Sequence, residues 1–422
     1  MLPKLMNKKY HKKPELLAPV NDWKTLNYIK DIPDAIYFGI KEYNMRKNAQ
    51  NFKREDLTKV VKFCHSQEPP IRVYLCTNIL IYSKELEDLK TLIQEAKNAG
   101  IDAIIAHDIA AIQLAKSHNL KFHISTQANV SNIISAKFYE ELGAERIILA
   151  RELSLEQINE IKNELNNTEI ECFVHGSMCT SISGRCYFSA TLEESDAFSA
   201  NRGNCTQPCR REWRVIDDQN NELIYDGKMF LNAKDLCMIE FIPELFEANI
   251  DAFKIEGRMK SPLYVKTVAK CYKEAIHSYY EGTYSEELVH KWKEKVSEVY
   301  NRGFHTGFYF KTPTAEDIQL NKRGNISNYR KTYLGKVLSY QDNVKTANIE
   351  IDAKNCPIEA GDEIIIEGKD NFVFEHVNTI LFHGEKIESI ERGEDDAPIL
   401  LNISLKTKVF PHNKIFKFDK YT

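Results

Sequence analysis

The sequence predicts an α/β protein: a closed (β/α)8 barrel of the TIM-like kind with a Cys-rich insertion, followed by a small all-β barrel domain. Three observations predict it. Short apolar runs alternate with segments of helical period from Glu15 to Gly257, six of the ten cysteines fall between positions 172 and 237, and from Tyr333 the pattern turns to short alternating β segments.

The runs read as strands are ELLAP (15–19), DAIYFG (34–39), IRVYLCTN (71–78), IDAIIAH (101–107), LKFHIS (120–125), RIILA (146–150), IECFVHG (170–176) and IDAFKIEG (250–257). Between them the helical period is plain. In 84–99, Leu86, Leu89, Ile93 and Ala96 recur every three or four residues and Gly100 stands at the C-cap position. A further helical stretch, 238–248, precedes the eighth strand. Eight such units read as a closed barrel; an open doubly wound sheet is the alternative from pattern alone.

Sites in such barrels sit at the C-terminal strand ends. The residues there are polar: Thr77 and Asn78, His107 and Asp108, Thr126, Gln127 and Asn129, Arg151 and Glu152, His175, Lys254, Glu256 and Arg258. Each alone reads as well as a helix cap or solvated loop. As a set ringing one mouth they point to a site.

Between the seventh and eighth strands the period breaks down over 177–231, and a long irregular insertion at this face is usually functional. After Pro262 come helices at 263–281 and 285–300, then NRGFHTGFYF (301–310), read as a tight loop packed on the barrel. A polar linker, 321–331, leads to the runs LGKVLSY, TANIEID, GDEIIIEG, FVFEHV, PILLNISL and KIFKFD, read as a small antiparallel barrel or sandwich. The domains are thus 1–320, the catalytic barrel, and 333–422.

The insertion carries HGSMC, SGRC and NRGNCTQPCRREWR, with six, eighteen and three residues between Cys179, Cys186, Cys205 and Cys209, and twenty-seven more before Cys237. Four thiolates hold either zinc or an iron–sulfur cluster. No C-x2-C pair of the zinc-knuckle type is present, which favours a cluster. Cys64, Cys76, Cys172, Cys271 and Cys356 read as buried small hydrophobes. Arg185, Arg202, Arg210, Arg211 and Arg214, with Trp213, form a local cationic patch suited to phosphates or a small carboxylate; the plainer reading is a solvated loop balanced by Glu193, Glu194 and Asp196.

Lys plus Arg number 57 against 61 Asp plus Glu, a net charge of -4, so any nucleic-acid surface must be local. No run is long and apolar enough to span a membrane, and the basic start lacks the apolar segment of a secretory signal, so a cytoplasmic location is expected. There is no HExxH, GxSxG, Walker A or dinucleotide GxGxxG pattern. A Cys179 nucleophile beside His175 is the one conceivable protease pair.

The words ELLAP, AIYFG, STQAN, ILARELSLEQI, VHGSMC, SGRCYFS, NRGNCTQPCR, AKDLCMIEFIPEL, FKIEGRMKSPLYV and NRGFHTGFYF, in this order, resemble the collagenase-like family once filed as peptidases of unknown catalytic type. The resemblance covers 14–311 and extends to the β-rich tail. It implies oxygen-independent hydroxylation: of the tRNA wobble uridine to 5-hydroxyuridine with prephenate-derived chemistry, of an rRNA cytidine, or of a ubiquinone precursor. Other members carry the label collagenase. The tail and the DLCMIEFIPEL segment look most like the tRNA-uridine group.

By that resemblance Cys179, Cys186 and Cys205 are positions of cluster ligands, and Cys209 is the fourth with Cys237 as the alternative. The cofactor expected is a 4Fe-4S cluster, with prephenate as co-substrate. Arg258, Arg185 and Arg210, with Gln127, are assigned to substrate or donor carboxylates, and Glu256, Arg258 and His175 to catalysis, Glu256 as acid or base or as an ion-pair partner of Lys254 or Arg258. Expected partners are tRNA, a small carboxylate donor and a protein subunit, homologous or otherwise, with no membrane. A collagenase-like peptidase acting on peptides and a zinc-stabilised RNA-binding scaffold are the alternatives.

Overall fold

The computed structural model describes residues 12–223 and 229–420. They form two compact units, one through 12–21 and 29–326, the other through 22–28 and 327–420.

The larger unit is the expected barrel. Its strands are β1 (Glu15–Pro19), β2 (Ala35–Phe38), β3 (Arg72–Thr77), β4 (Ala103–Ala106), β5 (Phe122–Ile124), β6 (Arg146–Ile148), β7 (Glu169–Ser177) and an eighth, Ala252–Ile255. Each pairs in parallel with the next. The eighth pairs with both β7 (Ala252 opposite Glu171) and β1 (Ala252 opposite Glu15), so the ring closes and the open-sheet alternative is excluded. Local chemistry fixes the βα junctions. The Asp108, Asn132 and Ser154 side chains accept from backbone N–H groups at the starts of Ile109–Ser117, Ile133–Leu142 and Leu155–Glu164, satisfying donors a helix cannot pair internally. Gly100 ends the helix Leu86–Ala99 in the left-handed conformation.

Charges lie inside the barrel. Arg146, 1% exposed, bonds Glu15 at 2.7 Å, Glu171 at 3.1 Å and Glu169 at 2.6 Å, and Lys254 bonds Glu171 at 2.7 Å. Buried charges persist only when paired in this way.

Two expectations change. The helix expected over 238–248 is confined to Ile242–Glu247, because Pro243 occupies its first turn and the preceding Asp235–Cys237 forms a strand antiparallel to β7. That pairing continues through the Met238 N–H to the Val174 carbonyl. The segment 301–310 is also more than a loop: Phe304–His305 pairs in parallel with Asp235–Leu236, and the Tyr309 hydroxyl donates to the Phe173 carbonyl. The insertion is irregular as expected: its described residues hold a short α-helix, Phe188–Leu192, three single 3-10 turns, and a hairpin of Val215–Ile216 with Glu222–Leu223; 224–228 lie outside the described residues.

The smaller unit holds an eight-stranded antiparallel sheet in the order Phe372–His376, Glu363–Glu367, Lys414–Lys420, Tyr329–Gln341, Thr346–Ile351, Ile399–Ser404, Ile380–Phe382, Glu385–Ile387. Its first strand begins within the segment read as linker. The hairpin of the last two strands is not among the runs read from the sequence. Leu334, Val337, Ile349, Ile364, Ile403 and Ile415 belong to its separate core. Among the described residues no helix is long and apolar enough to cross a membrane.

Candidate active site at the barrel mouth

A pocket of about 360 Å³, open solvent included, lies at the C-terminal strand ends. Arg46, Arg151, Lys254, Glu256 and Arg258 line it together with Tyr37, Asn78, Gln127 and Phe173. Glu256 follows the eighth strand and accepts from Nε and Nη2 of Arg46, both at 3.1 Å, and from the Tyr37 hydroxyl at 3.3 Å. Burial alone would raise its pKa, but the guanidinium groups of Arg46, Arg258 and Arg151 overcome this and hold it at about 2. Glu256 is therefore a fixed anion at neutral pH. Its ion pair is with Arg46; Lys254 is instead matched by Glu171.

Three guanidinium groups thus face one carboxylate. Arg258, 4% exposed, donates to the Asn44 side chain at 3.2 Å and stands 5.5 Å from the Tyr37 ring centre, leaving its Nε buried without a partner. Arg151 lies 4.0 Å over Phe173 and donates to the Ser177 carbonyl, and its Nε is likewise buried and unpartnered. Unmatched cationic donors in a concave, half-dry site suit a small anion, above all one with planar carboxylates.

The cysteine-bearing insertion sits against this pocket. The Gly203 backbone, at φ +87°, passes so close to the Asn44 carbonyl that a Cβ would stand 2.3 Å from it. Arg202 pairs with Glu85 at 2.6 Å, and Asn129 donates to the Ser183 carbonyl at 3.0 Å. Within the docked insertion Cys179, Cys186, Cys205 and Cys209 lie near enough to act on one another electrostatically. Burial pushes the Cys205 and Cys209 thiols up and the neighbouring sulfurs add to it, while Arg46 and Arg210 respectively oppose it. Among the described residues no set of three or more Cys, His, Asp or Glu side chains stands in closed metal-holding geometry. Thiolates are the donor type that iron–sulfur clusters and zinc take, so the chemistry of these side chains, though not their present spacing, suits either group.

Cys237 lies elsewhere. It is buried on the strand beside β7, where burial pushes its thiol up to about 12, and its sulfur neighbour is Cys271. Cys64, Cys76, Cys172 and Cys271 are buried as expected, and Cys356 is half-buried.

Of the other residues singled out from the sequence, Gln127 joins the pocket, while His175, Arg210 and Arg185 are not among its lining residues. His175 is buried with Nδ1 3.3 Å from the Tyr272 hydroxyl, among the Tyr264, Tyr272 and Phe304 rings, and burial lowers its pKa to about 4. Gln127 lines the pocket, accepting from Asn78 at 3.1 Å. Arg210 is buried and donates to Asn232 and to the Ala233 and Met178 carbonyls, tying the insertion to the barrel. The cationic patch is largely neutralised, since Arg202 pairs with Glu85, Arg211 with Glu193 and Arg214 with Glu222. Arg185 remains exposed. Arg46 and Tyr37 were not legible as site residues. Their one signal is position, at and just beyond the end of β2, where a barrel places functional loops.

Fold and site define an α/β barrel protein whose mouth carries a guanidinium-rich pocket beside a four-thiol insertion. The family model for peptidase family U32 matches residues 22–319, and the chain belongs to that family. It is 42% identical over 390 residues to an uncharacterised protease of Methanocaldococcus jannaschii, covering 90% of this chain and 93% of that one. It is 37% identical to a collagenase of Porphyromonas gingivalis, covering 96% and 98%. To a tRNA hydroxylation protein of Bacillus subtilis it is 32% identical, covering 96% and 95%.

Proposed function

We propose that the protein is a cytoplasmic RNA hydroxylase that converts the tRNA wobble uridine to 5-hydroxyuridine without molecular oxygen, using a prephenate-like donor. The relative named for tRNA hydroxylation, similar over nearly its whole length, supports the RNA substrate. The observation that carries the reading is the pocket of Arg46, Arg151 and Arg258, with two buried unpartnered guanidinium nitrogens, next to Cys179, Cys186, Cys205 and Cys209.

An iron–sulfur cluster held by those four cysteines would supply electron transfer or Lewis-acid activation of the oxygen donor. The chain's own residues do the binding. Arg258 and Arg151 take the donor carboxylates, and Glu256 holds the Arg46 fork in place rather than moving a proton, since a carboxyl titrating at about 2 has none to give at pH 7. His175, sealed among aromatic rings, is a structural residue in this scheme and leaves Cys179 without a base.

The test is nucleoside analysis of tRNA from cells lacking the protein and complemented with the parent, Arg258→Ala or Arg151→Ala chains. The parent should restore 5-hydroxyuridine and both variants should lose at least about tenfold of it, the scale of one charge-assisted contact. Undiminished modification in both would remove the donor assignment. An unmodified tRNA pool with the parent, accompanied by cleavage of collagen peptides, would establish the peptidase reading instead; zinc without iron would point to the scaffold.

A further inference from the structure

The insertion presents a second, outward feature that the pocket does not use. Its segment 183–187 is held from both sides: the Ser183 carbonyl accepts from Asn129, Gly184 lies at φ +73° where a Cβ would meet Gln127 at 3.0 Å, and the Cys186 N–H donates to the Asn201 side chain at 3.0 Å. A segment pinned in this way presents its outward side chains in fixed positions. Those side chains are Arg185 and Tyr187, which flank Cys186. Tyr187 is 76% exposed, whereas the next ring along, Phe188, packs 5.4 Å from Trp213. Among the described residues Arg185 makes no side-chain ion pair, unlike Arg202, Arg211 and Arg214 of the same insertion.

An exposed ring on an anchored backbone beside an unmatched cation is the pairing that grips single-stranded nucleic acid: the ring stacks on a base and the cation meets a phosphate. The segment that carries them approaches the pocket through Gly184, which lies against the pocket-lining Gln127. Resting on the RNA reading above, we infer that Tyr187 and Arg185 form a one-nucleotide platform, Tyr187 stacking an unpaired base that neighbours the target and Arg185 holding its phosphate. The platform requires an unstacked loop and so selects single-stranded over duplex RNA.

The test uses full-length protein purified without oxygen and titrated, by fluorescence anisotropy, with a uridine-rich single-stranded RNA and with the same strand in a duplex. Tyr187→Ala should weaken single-strand binding about tenfold or more and leave duplex binding nearly unchanged, while Tyr187→Phe, which keeps the ring, retains it. Arg185→Ala should lower the slope of log affinity against log salt by about 0.7. Unchanged circular dichroism in the variants shows that the fold is intact. Single-strand binding by Tyr187→Ala equal to the parent's overturns the platform and leaves the RNA reading standing, as does equal weakening of single strand and duplex. A parent chain that binds neither RNA, in cells whose tRNA it leaves unmodified, overturns both.

Discussion

At the scale of single residues, the site is governed by how charges are matched. Glu171, 0% exposed, is shared by Arg146 and Lys254, so the barrel's interior charges are neutralised among themselves and the pocket above them keeps its surplus of guanidinium. Sulfur placement makes the sharpest prediction here. Cys209 neighbours Cys179, Cys186 and Cys205 electrostatically, whereas Cys237 is buried on its strand with Cys271 of the helix Pro262–Tyr280 as its sulfur neighbour. Under anaerobic purification, Cys179→Ala and Cys209→Ala should each abolish a broad absorption at about 400 nm and the bound iron, while Cys237→Ala should retain both. Loss in Cys237→Ala together with retention in Cys209→Ala would reverse the assignment of the fourth ligand.

Among the elements, the insertion is decisive, because it has little regular structure and is shaped by what it docks on. Gly203 is a point of close approach, with the Asn44 carbonyl occupying the space a side chain would need. Gly203→Ala should displace the loop that carries Cys205 while leaving the eight barrel strands paired. We expect iron content to fall by at least half with an unchanged far-ultraviolet dichroism spectrum; full iron loading in this variant would show that the approach is not needed to assemble the four sulfurs.

For the molecule as a whole, acid sensitivity should differ between the two units. His123 and His175 have their pKa values lowered to about 4 by burial, so both are neutral when folded and take up protons on unfolding below about 6.5. Glu145, Glu169 and Glu256 are held at about 2 in spite of burial, the first by His123 and Lys121, the second by Arg146 and Lys12, the third by Arg46, Arg258 and Arg151. All are depressed values, so their stabilisation is present above the unfolded pKa and is lost as pH falls. The histidine contribution, on the order of 3 kcal/mol each, fades between about 6.5 and 4, and the carboxylate contribution fades between about 4 and 2. All five groups lie in the barrel unit. Acidification from pH 7 to 4 should therefore unfold the barrel before the antiparallel sheet, which residue-resolved hydrogen exchange would show as early loss of protection in β1 to β7; simultaneous loss in both units would refute the assignment.

The sequence by itself determined the eight strands and their alternation with helices, because parallel strands buried on both faces leave continuous apolar runs and helix starts such as those after Asp108, Asn132 and Ser154 carry their own caps, both readable locally; that the ring closes was decided by the pairing of the eighth strand with β1. It also singled out the clustered cysteines, with the fourth member left open between Cys209 and Cys237. The tertiary structure decided what local pattern cannot hold. Pro243 and the pairing of Asp235–Cys237 with β7 shortened the expected helix, a long-range contact overriding helical period. Arg46 reached Glu256, 210 positions away in the chain, while Arg210 was drawn inward to backbone carbonyls and His175 into a ring of aromatics. Charge partners are chosen by distance in space, and ring closure brings together strand ends that are far apart in sequence; composition and spacing name the chemical groups available, and only the closed barrel says which of them meet.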